Sequence, residues 1–244
     1  QIALATQRWR MCAHLFGVPL TGAKAFWSYY AGFLVNQLMP GGVLGDVGRA
    51  TAHGRATGRA GAAAAAAVLD RLWGPLSLVA VWALGWSARL AGPSGALGTG
   101  GAILLLLIAT ILVARRRVGS HATGTIAVMA GISLALVALF LVGLWSAARA
   151  LGILMELAPL VTGGTALLLA MAIPISIAGW GVREAAGAVA LGPMLGDPAL
   201  AVSISVIYGA AVLLGSLPGA VGGLWLYWTA ARSKTHSMSS PSGT

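Results

Sequence analysis

Two stretches of this chain, Ala122–Ala148 and Leu157–Val182, hold no charged residue, and further apolar runs lie on either side of them. A helix needs about 20 apolar residues to cross the hydrocarbon core of a bilayer. Runs of this length exclude an ordinary water-soluble domain and predict an all-α, polytopic membrane bundle. Composition agrees: 8% of the residues are charged, where soluble domains carry roughly 25%, and mean hydropathy is +0.88.

The other runs are interrupted at informative places. Ala25–Gly45 ends in Asn36, Gln37, Pro40, Gly41 and Gly42, after which Asp46, Arg49, Arg55 and Arg59 follow. Ala60–Ala88 carries Asp70 and Arg71, and Leu97–Ala114 runs into Arg115, Arg116 and Arg117. Pro198–Ala231 contains Pro218, which leaves one kinked helix and two separate helices both open. The Ser-rich tail 233–244 reads as disordered. The chain starts at Gln1, and further spans are expected upstream of it.

Net charge is +10, from 15 Lys and Arg against 5 acids. The basic residues occupy the gaps between apolar runs, the pattern of cytoplasmic loops facing anionic headgroups, so nucleic acid is not an expected partner. Cys12 is the only cysteine, which excludes a disulfide within the chain. His14, His53, His121 and His236 have no ligand spacing, so neither a metal nor a cofactor is expected. Trp27, Tyr29, Tyr30, Trp86, Trp145, Trp225, Tyr227 and Trp228 fall near the predicted membrane faces as an aromatic belt.

Placing the triple Arg inside fixes an orientation, and the orientation creates a parity problem. If 157–182 crossed fully, Arg232 and Lys234 would lie outside. The conflict disappears if 157–196 enters, turns near Pro174, Gly179 and Gly181, and leaves on the same side. The stretch 25–59 calls for a similar hairpin, turning at Pro40–Gly42. Pro40, Gly45 and Arg49 share the spacing P-x4-G-x3-R with Pro174, Gly179 and Arg183. Two re-entrant hairpins in an inverted repeat follow, with half-repeats 1–88 and 97–232 in one transmembrane domain.

The segments RWR at 8–10, NQLMPGGVLGDVGRA at 36–50, LDRL at 69–72 and IPISIAGWGVREAAG at 173–187 resemble the membrane region of lysylphosphatidylglycerol synthases, a flippase-like family. Met39 and Leu44 depart from that family's pattern, as does Asp70 where Glu is common. The resemblance implies a multi-pass protein of a bacterial inner membrane, with its C-terminus cytoplasmic, that binds or moves a phospholipid, in some members an aminoacylated one. It does not imply the synthase reaction, and no nucleophile–base pair, P-loop or dinucleotide motif is present, so the chain is not expected to be an enzyme. A second copy of the chain and a lipid-modifying enzyme are the protein partners compatible with that role.

The intramembrane charges are the candidate substrate-binding residues. Arg183 and Glu184 open a short helix, where a guanidinium suits a lipid phosphate or, alternatively, pairs with an acid to lock two hairpins. Asp46 and Arg49 share a helix face and are expected to meet Arg183 and Glu184 across the repeat axis, or else to cap an interfacial helix. Asp70 and Arg71 point apart and need separate partners, with Arg71 either joining the polar centre or reaching the inner headgroups. Asn36 is expected to hydrogen-bond backbone freed by the first turn, or to touch substrate. Three functions remain open: a lipid translocase, a binding or accessory module that moves nothing, and an ion-coupled transporter using Asp46 and Glu184.

Overall fold

A computed structural model describes residues 1–118, 121–173 and 179–239, with helix backbone only at 104, 106–118, 121, 122 and 230–239. Among these residues the chain is helical, with no strand. Helix α1 is Ile2–Leu15, α2 Gly22–Leu38, α3 Leu44–Thr57, α4 Ala60–Val118 and α5 His121–Ala150. A short α6, Leu157–Pro159, runs through a π turn at Leu160–Gly164 into α7, Thr165–Met171. Helix α8, Val182–Ala186, runs through a second π turn at Gly187–Leu191 into α9, Gly192–Leu195; α10 is Pro198–Ser216 and α11 is Gly219–Ser239. Three helical runs are long and apolar enough to cross a membrane: Ala60–Ile103, Thr123–Ala150 and Pro198–Thr229.

The runs Ala60–Ala88 and Leu97–Ala114 are not joined by an extended loop. Instead α4 reverses at a single residue, Gly92, with φ 63° and ψ −155°, a conformation that only glycine adopts without strain. A Cβ on Gly100 would fall 3.8 Å from Leu84, although a straight helix would hold these residues about 24 Å apart. The two arms therefore fold back on each other. Pro93 follows at the first position of the second arm, where its missing N–H has no bond to lose.

Pro218 resolves the long C-terminal run into α10 and α11, which meet across Leu217 and Pro218. Tightened bonds from Leu217 N–H to the Leu214 carbonyl and from Ala220 N–H to the Leu217 carbonyl turn the corner. The Tyr30 hydroxyl donates to the Gly215 carbonyl at 2.7 Å, giving a partner to an acceptor near the break. Helix α11 continues to Ser239, into the segment read as a disordered tail. No proline occurs before Pro241 to stop its register.

Across the first break the chain forms a helix–turn–helix. Helices α2 and α3 pack together across a turn in which Gly41 and Gly42 have φ 78° and 55°. Their approach is closest at a glycine pair: a Cβ on Gly45 would lie 1.8 Å from the Gly32 carbonyl oxygen. In the second hairpin α7 and α8 also pack together, with Gly179 and Gly181 at φ 79° and 82°; Pro174 lies outside the described residues. Equal spacing does not give the two motif glycines equal roles. Gly45 sits inside a helix to admit a backbone, whereas Gly179 supplies a left-handed turn.

Two apolar cores hold the bundle. One gathers Cys12, Ala13, Ala66 and Met129 from α1, α4 and α5. The other gathers Leu78, Val137, Leu144, Leu167 and Ile204 from α4, α5, α7 and α10. On α4, Asp70 and Arg71 lie between Ala66 and Leu78; on α5, Ser133 lies between Met129 and Val137. A polar layer thus divides the two cores.

Replacing Gly45 with Val tests the close contact. Forcing Cβ against Gly32 should cost about 1–3 kcal/mol, read as a lower unfolding temperature in detergent. Gly48→Ala on the same helix, where a Cβ meets nothing within 4 Å, should be neutral or slightly stabilising.

Candidate functional site

Helix α1 buries Ala5, Arg8, Trp9, Cys12 and Ala13, a stripe at helical spacing. That stripe carries Arg8 and Trp9 into the polar layer. Arg8 Nε donates to Asp70 Oδ1 at 2.9 Å, and its Nη1 donates to the Ser133 hydroxyl at 3.1 Å. From α3, Arg49 Nη2 donates to the other Asp70 oxygen at 2.8 Å, and Arg49 Nε donates to Asp46 Oδ1 at 3.0 Å. Arg71 Nη1 donates to Asp46 Oδ2, which also accepts from Asn36 Nδ2 at 3.2 Å. Five charged groups from three helices thus form one continuous network.

Its details follow from local needs. Helix α3 begins after Val43, which has no side chain able to cap it. Asn36 of α2 supplies the missing acceptor, taking the Gly45 N–H at 2.8 Å, and so does for freed backbone what its position predicts. Asp46 stands in the first turn of α3, where a negative charge is favoured. The Arg49 guanidinium lies 4.4 Å from the Trp9 ring centre and 4.5 Å from that of Tyr29, so two aromatic faces replace water over its surface. Tyr29 therefore belongs to this site rather than to the aromatic belt. Asp70 and Arg71 do point apart and find separate partners, and Arg71 joins the polar centre.

The network forms the polar end of a cavity of about 300 Å³. Arg8, Asp46, Arg49, Asp70, Arg71 and Asn36 line that end. Leu78, Val137, Phe140, Leu168, Met171 and Val212 line the remainder. Arg49 is 5% exposed and its Nη1 has no hydrogen-bond partner, while the Arg71 side chain is 37% exposed and is held through one nitrogen.

Arg183 and Glu184 follow the second of the two readings given for them, a cation paired with an acid, rather than a cavity-lining phosphate site. Arg183 is 1% exposed and does not line the cavity. Its Nη2 and Nε reach Glu184 Oε1 at 2.6 and 3.0 Å, and Nε also donates to the Ser205 hydroxyl at 3.0 Å. Trp180 covers its face at 4.5 Å, and a Cβ on Gly209 would lie 2.0 Å from its nitrogens. Glu184 also accepts the Gly181 N–H at the start of α8. The expected pairs Asp46–Arg183 and Arg49–Glu184 do not form, because each cation finds an acid on its own side. This second cluster keys α8 into a notch on α10.

Sequence reading missed Arg8, Trp9, Ser133, Ser205 and Gly209. The stripe on α1 held the signal for the first two, but the segment is short and bears charges at Arg8 and Arg10. Ser133, Ser205 and Gly209 lie in apolar helices that contain many small residues, and only the fold shows what they face.

A family model described as the lysylphosphatidylglycerol synthase TM region matches residues 1–219. No curated protein and no solved structure matches the chain.

Asp70→Asn removes the charge that neutralises two buried guanidinium groups. It should destabilise the protein by about 3–5 kcal/mol, seen as a large fall in unfolding temperature. Arg71→Gln, at a half-open position, should change stability by less than about 1 kcal/mol. Gly209→Ala should expel Arg183 from its notch and cost about 1–3 kcal/mol.

Proposed function

The chain belongs to the lysylphosphatidylglycerol synthase TM family, and on that premise we propose that it binds a membrane phospholipid in the central cavity and carries its headgroup between leaflets. Membrane embedding and a lipid-related role follow from the family and the apolar helices. The observation that supports translocation is the division of the cavity: a guanidinium-rich cluster at one end, apolar side chains over the rest. That division suits one amphiphilic molecule, with its phosphate against Arg71 and Arg49 and its chains toward Phe140 and Val212.

The hairpins suit the same reading. Their arms, α2, α3 and Leu157–Met171, measure about 21–26 Å at the helical rise, less than the roughly 30 Å hydrocarbon core. Arms of that length can enter and return without crossing, and their turns would then lie at membrane depth beside the polar layer. In this reading the inverted repeat lets the cavity open to either side, the basic C-terminal end faces the cytoplasm of a bacterial inner membrane, and no catalytic step is involved. The proton-coupled alternative has less support, because Asp46 and Glu184 are both held by guanidinium groups.

Liposomes carrying fluorescent phosphatidylglycerol test the proposal. With the protein present, an outer-leaflet quencher should bleach more than the outer-leaflet share of the dye, and Arg71→Gln should slow this by about tenfold or more. Bleaching equal to that of protein-free liposomes, with lipid still bound, would leave a binding or accessory module instead.

A further inference from the structure

Resting on the lipid-binding reading, we infer that the cavity selects an anionic phospholipid whose headgroup carries no cation, and discriminates against an aminoacylated or other ammonium-bearing one. The reason is a balance of charge within the cavity. Arg8, Arg49 and Arg71 stand against Asp46 and Asp70, a surplus of one positive charge, with Arg8 and Arg49 buried and Arg71 half-open. Burial makes an uncompensated cation costly, and a phosphodiester of one negative charge removes that cost. Two guanidinium groups that line the cavity keep unused donors: Arg49, whose Nη1 is buried without a partner, and Arg71, held through one nitrogen.

An ammonium group finds no corresponding partner. The charge of Asp70 is already balanced, since one oxygen accepts from Arg8 and the other from Arg49. The charge of Asp46 is balanced as well, by Arg49 on one oxygen and by Arg71, beside Asn36, on the other. The chain has only three more acids. Glu184 is bound to Arg183, Asp197 caps α10 through the Ala199 N–H, and neither these nor Glu156 lines the cavity. The faces of Trp9 and Tyr29, which could receive a cation, already hold Arg49. A headgroup ammonium would therefore stand near three guanidinium groups with no carboxylate whose charge is left unbalanced. What the polar end offers beyond charge is hydrogen bonding without charge: the Gln37 amide lines the cavity and makes no hydrogen bond among the described residues. It suits the hydroxyls of a polyol headgroup.

Competition in nanodiscs of phosphatidylcholine tests this. Fluorescent phosphatidylglycerol bound to the purified protein is displaced with unlabelled phosphatidylglycerol, its lysyl ester or phosphatidylethanolamine. Phosphatidylglycerol should compete at least about tenfold better than the other two, since like-charge juxtaposition at a binding site costs more than that. Arg71→Gln removes the surplus charge and should narrow the ratio, while Glu156→Gln should leave it unchanged. Equal or tighter binding of the lysyl ester overturns this inference and leaves the lipid-binding reading intact. Failure of every lipid to bind overturns both. A ratio that persists in a well-folded Arg71→Gln protein also overturns the charge-balance account.

Discussion

Asp70 receives two guanidinium groups, one on each oxygen, and the rest of the bundle is arranged around that fact. Arg8 arrives from α1 and Arg49 from α3, so one carboxylate on α4 ties three helices at a single point. A lone carboxylate or guanidinium in this interior would be costly enough to exclude it. Each group is acceptable only because the others are present, and the three helices are therefore fixed to one another with little freedom of register. Asp46 extends the tie to Arg71 and, through Asn36, to α2.

Such a network is a poor source of net stability compared with an apolar core of equal volume. Its place in this chain is that of a boundary as well as a fastener. It separates two apolar cores, it borders a cavity, and it keeps part of its hydrogen-bonding capacity unused. The second charged cluster has the opposite character. Arg183 is paired with Glu184 and Ser205, covered by Trp180, seated on the backbone of Gly209 and 1% exposed, away from the cavity. Two arginines at equivalent spacing after a proline thus divide the work, one facing a cavity and one holding a hairpin to its neighbour.

Most of the helical order could be read from the chain, because length and polarity determine where a membrane helix can run. The turn at Pro40–Gly42 and the helix start at Asp197 were also legible, since left-handed glycines and a capping aspartate leave local signatures. The partners of the charges were not. Asp70 and Arg8 are 62 positions apart, and nothing local distinguishes an arginine that enters the core from one that stays at the headgroups. The reversal at Gly92 was hidden for a related reason. A Gly-rich stretch reads as a loop, and the single dihedral that lets two helices meet there has no counterpart in composition.

The α2–α3 hairpin has different moorings on its two arms. Arm α2 lies against α11, where a Cβ on Gly219 would come within 2.4 Å of the Tyr30 carbonyl oxygen and one on Gly222 within 3.0 Å of that of Trp27. Arm α3 is bound to α4 by the Arg49–Asp70 ion pair. Mechanically the hairpin is a coupling rod between the C-terminal helix and the middle of the chain. The close backbone approach at Gly219 leaves little slack, so a displacement of α11 would be passed to α2, and through the Asn36 contact to the start of α3.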